Sequence, residues 1–208
     1  MAETFIKRNI QEFRSRMTGG GARSNLFEVE ITFPSGIGID ENSVADKNPF
    51  LVKAAEIPAS NLGNIPVPYR GRVLPIAGDR TFDPWTVTVI NDTDFELRDA
   101  FEKWSNFIND IQTAQGVTDP EIYQTEARVF QKGRLGSGPG DTEKTLRQYD
   151  FVGIYPNVIS SIPLDFGATD QIEEFQVTFN YLYYEIRGGI DGTGTVLTDA
   201  AETAQATG

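Results

Sequence analysis

The sequence predicts a mainly β domain, an antiparallel β-barrel or sandwich with one flanking α-helix and extended arms. Three observations carry that expectation. Apolar and polar side chains alternate with period two in several separate segments. Only one segment, near residues 93–111, has strong helical spacing and a start signal. Pro and Gly punctuate the intervals as they do between antiparallel strands. At 208 residues, the chain is the size that closes around one core.

Residues 1–23 form an N-terminal arm ending in Thr18-Gly19-Gly20-Gly21, a composition expected of a flexible joint. Phe5, Ile6, Ile10, Phe13 and Met17 lie at helical spacing, but a helix this short is not stable alone. The domain proper is expected over 24–186. It opens with a half-buried strand at 25–33, where Phe27, Val29, Ile31 and Phe33 alternate with Glu28, Glu30 and Thr32. A loop is expected at 34–48 and a second strand at 50–57, stopped by Pro58. The segment 63–78 carries Pro66, Pro68, Gly71 and Pro75, so it reads as an edge hairpin or an extended arm. A strong strand follows, with Trp85, Val87 and Val89 on one face. In the helix, Thr93 and Glu96 have capping-box spacing, and Phe95, Phe101, Trp104, Ile108 and Ile111 form an apolar stripe. Loops at 112–122 and 133–143 flank a strand near 127–131, and strands are expected at 146–156 and 173–186. Residues 187–208, rich in Gly, Thr, Ala and Asp, read as a flexible C-terminal tail.

Charge and residue usage exclude several functions. The formal net charge is -12, opposite to that of a protein holding nucleic acid by phosphate neutralisation or docking on anionic membranes. The arm contributes +3, from Lys7, Arg8, Arg14, Arg16 and Arg23 against Glu3 and Glu12, whereas residues 24–186 carry 12 basic and 25 acidic side chains. The acidity belongs to the folded body. The absence of Cys and His removes disulfides, thiolate or imidazole metal sites and any Ser-His-Asp triad. No apolar run approaches the roughly 18 residues of a membrane span, and no secretion signal is expected.

The remaining candidates for chemistry have plainer explanations. The Gly-rich run 133–141 lacks phosphate-loop spacing and reads as a loop. Asp92 with Asp94 and Glu96, Glu173 with Glu174, and Asp165 with Asp170 are the carboxylate groups available to a metal or a glycosidase acid pair. The first is explained by helix capping, and none has the pattern of a calcium loop. The sequon at Asn91 has no meaning without secretion. Tyr181, Tyr183 and Tyr184 suit core packing and a subunit contact better than a sugar platform. No cofactor or metal is expected, and residue physics alone names no function.

A longer ordered pattern adds one. IPVPYRGRVLPI at 65–76 runs into AGDRTFDPWTVTVIND at 77–92, then the helix with FEKWSNFIND at 101–110. FVGIYPNVI and IEEFQVTFNYLYYE follow. Together with the opening NLFEVEITF, this pattern over about 24–186 resembles the tail tube proteins of contractile-tailed bacteriophages. The resemblance implies a non-enzymatic subunit of hexameric rings that stack head to tail into a hollow tube inside a sheath. That tube would penetrate the host envelope and conduct viral DNA without binding it specifically. The implied partners are further copies of the chain, the sheath, baseplate and tail terminator proteins, and a tape measure protein in the lumen. Its place would be the virion tail tube, made in the host cytoplasm, with no membrane anchor. Tubes of contractile bacteriocins and type VI secretion systems are related in fold and form the alternative reading. A carbohydrate-binding β-sandwich is a more distant one.

The resemblance also assigns residues. Gly78, Asp79, Arg80, Thr81 and Phe82 match the family's signature turn and Trp85 the strand after it, as a candidate subunit interface. The arm at 62–76, with Arg70 and Arg72, is a candidate for reaching a neighbouring subunit. The basic N-terminal arm with Arg14 and Arg16 lies outside the resemblance, and its charge makes it a separate candidate for docking on the acidic body of a neighbouring ring. Glu28, Glu30 and Glu173 are candidate lumen-facing acids, since a negative bore would let DNA slide.

Overall fold

The computed structural model describes residues 10–17, 21–133 and 145–187. Most of the Gly-rich run and the C-terminal tail lie outside these residues. The architecture is mainly antiparallel β, as expected. In chain order the elements are α1 (Ile10–Arg16), β1 (Phe27–Ile31), α2 (Glu41–Leu51), β2 (Val52–Ala55), β3 (Asn61–Tyr69), β4 (Arg72–Thr81) and β5 (Trp85–Ile90). They continue with α3 (Glu96–Ile108), α4 (Pro120–Tyr123), β6 (Thr125–Lys132), β7 (Thr145–Ile159), β8 (Glu174–Asn180) and β9 (Tyr183–Arg187). Seven strands form one antiparallel sheet in the order β1-β6-β7-β8-β5-β2, with β9 also on β7; β3 and β4 form a separate two-stranded sheet.

The fifteen-residue β7 organises the core. Its first part pairs with β6 and β9, its last part with β8. The bend between them falls at Gly153, whose φ is 69° and where a Cβ would lie 2.8 Å from the Leu182 side chain. The two parts thus face each other across a core. Trp85, Val87 and Val89 of β5 and Phe175, Val177 and Phe179 of β8 meet Val29, Ala127, Val129 and Phe151, all essentially buried. Trp85 stacks on Phe151 at 4.4 Å between ring centroids. Burial of each such side chain stabilises the fold by about 1.5–3 kcal/mol. Helix α3 closes one side, placing Phe101 5.8 Å and Trp104 6.2 Å from the Phe179 ring.

Four expectations need correction. The loop at 34–48 contains the start of α2, where Asp40 accepts hydrogen bonds from the backbone N–H groups of Asn42 and Ser43; the following strand is accordingly only Val52–Ala55. The helix runs over 96–108, not 93–111, and has no capping box. Its N-cap is Phe95, at φ 55° and without a side-chain cap. Asp92 instead takes the Thr93 N–H at 2.8 Å, and Glu96 turns to Ser43 of α2. Phe95 and Ile111 are therefore exposed, while Leu97 and Ala100 join Phe101 and Trp104 in the core. The strand 173–186 is two strands, broken at Tyr181–Leu182 opposite the Gly153 bend, so that β8 extends the sheet of β5 while β9 lies with β6. The fourth correction concerns the signature turn, described below.

Candidate assembly surfaces

The β3–β4 hairpin leaves the body at one end and packs on no other element to any extent. Every residue of β3 and all but Gly78 of β4 are exposed. The prolines are tolerated because each strand of the ribbon has a partner on one side only: Pro66 and Pro75 face each other, in register with Val67–Leu74 and Ile65–Ile76. At the tip, Arg70 and Gly71 both have positive φ, 46° and 79°, the conformation of a two-residue hairpin turn that follows strand twist. Leu62, Ile65, Val67, Tyr69, Leu74 and Ile76 are all exposed, an apolar ribbon that the described residues of its own chain do not cover.

The residues expected to form a turn at 78–82 belong to the root of this hairpin. Gly78 through Thr81 are the end of β4, and a register shift between Leu62 and Asn64 puts Gly63 against Gly78. A Cβ on Gly78 would lie 3.3 Å from the Gly63 carbonyl, so the glycine reflects close backbone approach, not a reversal of direction. Asp79 and Arg80 do not pair. Arg80 donates to Ser60 at 2.5 Å, and Asn61 donates to Asp83 at 2.6 Å, so both strands of the root are held to the residues beside them. Phe82 packs on Tyr181 and Tyr184, each at 5.7 Å. Trp85 lies in the core and donates its Nε1–H to the Glu56 carbonyl at 2.8 Å. These contacts fix the hairpin on the body.

The candidate lumen acids fall in two places. Glu28 and Glu30 point from the outer side of β1, where Glu28 pairs with Lys132 at 2.6 Å and Glu30 stands opposite Arg128. The same outer face carries Glu126, Asp150, Glu185 and Arg187, with Arg187 2.8 Å from Asp150. The face is thus a lattice of both signs with acids in modest excess. Glu173 lies elsewhere, before β8, where it accepts from the Asn91 side chain at 3.0 Å. The outer face of β5 and β8 is uncharged over Thr86, Thr88, Gln176 and Thr178, with the Thr86 and Thr178 hydroxyls 3.1 Å apart. Arg14 and Arg16 are exposed on α1, and Arg16 pairs with Glu12 at 2.8 Å.

Sequence reasoning missed one ionic centre. Lys47 of α2 reaches Glu96 at 2.8 Å, Asp92 at 3.2 Å and Asp94 at 3.3 Å, clasping the β5–α3 connection. The hydrogen bond with Glu96, together with those to the two aspartates, raises the Lys47 pKa. Asp92 is held below the usual carboxylate range by the Thr93 N–H and then by Lys47; Glu96 is lowered by Lys47 and then by Ser43. The acids that seemed available for a helix cap or a metal are committed to an ammonium group. The signal in the sequence was Asp40 followed by polar residues, too weak in apolar period to announce a helix.

Similarity to known proteins agrees with this fold. The phage tail tube protein family model matches residues 22–187. Tail tube protein gp19 of Enterobacteria phage T4 is 33% identical over 176 residues, covering 83% of this chain and 96% of that protein. A tail tube protein of Serratia phage KSP90 is 28% identical over 174 residues, covering 83% and 93%. In fold, the chain resembles the tube terminating cap of the anti-feeding prophage, with a TM-score of 0.57 at 15% identity, over 81% of this chain and 92% of that one. It also resembles a chain of the sheath/tube terminator of an extracellular contractile injection system, with a TM-score of 0.55 at 12% identity, over 81% and 97%. The chain belongs to the phage tail tube protein family, and is a structural component of the virion tail tube.

Proposed function

We propose that copies of this chain close into hexameric rings that stack head to tail as the tube of a contractile tail, through which viral DNA passes. One observation carries the proposal: the hairpin over 61–81, attached firmly at its root, exposes apolar side chains that the described residues of its own chain do not cover. A head-to-tail contact supplies that cover, because it joins two different surfaces of identical subunits. Among the described residues, β1 and β2 end the path of the main sheet with no further strand beside them, and the β1 edge is met only by Asn48 of α2 at the Ile31 carbonyl. In a ring they are completed by neighbours, which removes the hazard of unpaired edges.

The chain acts by shape and surface, not by catalysis. Viral DNA is a passenger, repelled from a wall with excess carboxylates and not bound by it. Sheath and baseplate proteins lie outside and at the end of the tube, a terminator closes it, and a tape measure protein fills the lumen before ejection. The 24–186 segment forms the tube wall, with 1–23 and 187–208 as arms. The basic N-terminal arm docks on the acidic body of a neighbouring ring, so deleting residues 1–20 should weaken polymerisation and alter its salt dependence. Phage proteins at 28–33% identity, against 12–15% for injection-device chains, favour a viral tail over the alternative device. Negative-stain imaging of the purified full chain should show hexameric rings or tubes. A chain that remains monomeric at high concentration and binds oligosaccharide would overturn the proposal.

A further inference from the structure

We infer that the groove formed by residues 160–174 is the seat for the β3–β4 hairpin of a second copy of the chain. The inference rests on the tube reading and deepens it by naming both surfaces of one contact.

The first argument is apolar exposure in two places. Beyond the hairpin, the largest uncovered side chains of the body include Leu164, Phe166 and Ile172, all in the segment between β7 and β8. There the chain folds around a groove of about 530 Å³ whose lining includes Leu164, Asp165, Ala168, Ile172 and Glu173. Neither surface covers the other within one molecule. Mutual burial removes both from water, the main favourable term in association.

The second argument is charge. The hairpin and its root, residues 61–81, carry Arg70, Arg72 and Arg80 against Asp79 alone, in a chain whose net charge is -12. Residues 160–174 carry Asp165, Asp170, Glu173 and Glu174 with no Lys or Arg. Among the described residues the tip arginines have no carboxylate partner: Arg70 lies 5.4 Å over its neighbouring Tyr69 ring, and Arg72 makes no ion pair. On the other surface Glu174 is paired with Lys53. Among the described residues the Asp165 side chain accepts only a local N–H, that of Gly167, and Asp170 has no ion-pair partner. Opposite potentials of this kind set partner and register, while apolar burial supplies the affinity.

Placement is the third argument. The hairpin springs from the Trp85 end of β5, whereas residues 160–174 enter β8 at Glu174, which pairs with Ile90 at the other end of β5. Those ends are about 20 Å apart for a strand of this length. Donor and acceptor surfaces at opposite ends of the same strands are what a repeating head-to-tail contact requires; an isologous pair would use one surface twice.

The chain contains no cysteine, so cross-linking can be addressed to single positions. Full-length Val73→Cys and Leu164→Cys chains are mixed, allowed to form tubes, and treated with a short bismaleimide. A linked heterodimer is expected, while Ile111→Cys in place of Leu164→Cys gives none. In parallel, Arg70→Asn with Arg72→Gln keeps a residue suited to the turn and removes both tip charges. Roughly tenfold or more protein should then be needed for assembly, with less dependence on salt. Tubes that form normally without the Val73–Leu164 link, or with the hairpin linked to the Ile111 side, overturn this contact while leaving the tube reading intact. A wild-type chain that forms neither ring nor tube overturns both.

Discussion

Strand β5, paired with β8, follows the β3–β4 hairpin directly in the chain, yet the two are opposite in energetic character. In β5 every second residue is buried, and Trp85, Val87 and Val89 face a core supplied by the same molecule. The hairpin also carries β-formers such as Ile65, Val67, Val73 and Ile76, paired in register apart from one shift at its root, with no residue buried. An isolated two-stranded ribbon is marginal in water. This one is held at its root by Arg80, Asn61 and Phe82 and has its remaining surface uncovered. The body covers its own core; the hairpin leaves its apolar surface to a partner, which the proposed assembly supplies.

That contrast can be broken most severely from the body side. Trp85→Ala removes the ring stacked on Phe151 and should cost about 3–5 kcal/mol, read as a lower Tm, with assembly lost through unfolding. A change of equal consequence for assembly should be nearly silent for the monomer. Leu74→Asp with Ile65→Asp is expected to abolish tubes by electron microscopy while shifting monomer stability by less than about 0.5 kcal/mol in a denaturant titration. Gly78→Val tests the root. Its side chain would crowd Gly63 and Ile65, so the hairpin should splay, assembly should weaken, and the near-ultraviolet dichroism of the core should stay the same.

The smallest effect concerns pH. Asp92 and Glu96 have depressed folded pKa values, so their contribution is present above their ordinary values of 3.8 and 4.5 and is lost as pH falls through the folded ones. Lys47, with a raised pKa, contributes fully below its ordinary 10.5 and loses its contribution above it. Lys47→Met should therefore flatten both the acid and the alkaline limbs of a Tm-against-pH curve. Assembly near neutral pH should change little, which separates this clasp from the hairpin.

How much was legible in the sequence follows from the same contrast. Strands that bury one face announce themselves by alternation, and β1, β5 and β8 did so through residues such as Val29, Val87 and Val177. The hairpin was legible through its prolines, which restrict it to an edge, but its apolar exposure was not, because alternation does not say whether a face is covered. Helix α2 was hidden because Val44 and Asn48 are its only fully buried residues among those described. The break between β8 and β9 was invisible in 173–186 itself; its cause is Gly153 on the partner strand. The segment expected as a turn at 78–82 runs instead through the end of β4, where Gly78 serves close backbone approach in a strand. The acids Glu28, Glu30 and Glu173 could not be sorted by sequence, since a two-residue period fixes a shared face and not the surroundings of that face.

The central claim is that the hairpin is covered by another copy of the chain. Backbone hydrogen exchange of residues 61–81, measured in the monomer and in assembled tubes, tests it most directly. Fast exchange along the hairpin in the monomer is expected to slow by roughly tenfold or more in tubes, while β5 and β8 are already protected in both. Tubes in which 61–81 exchange as fast as in the monomer would contradict the account.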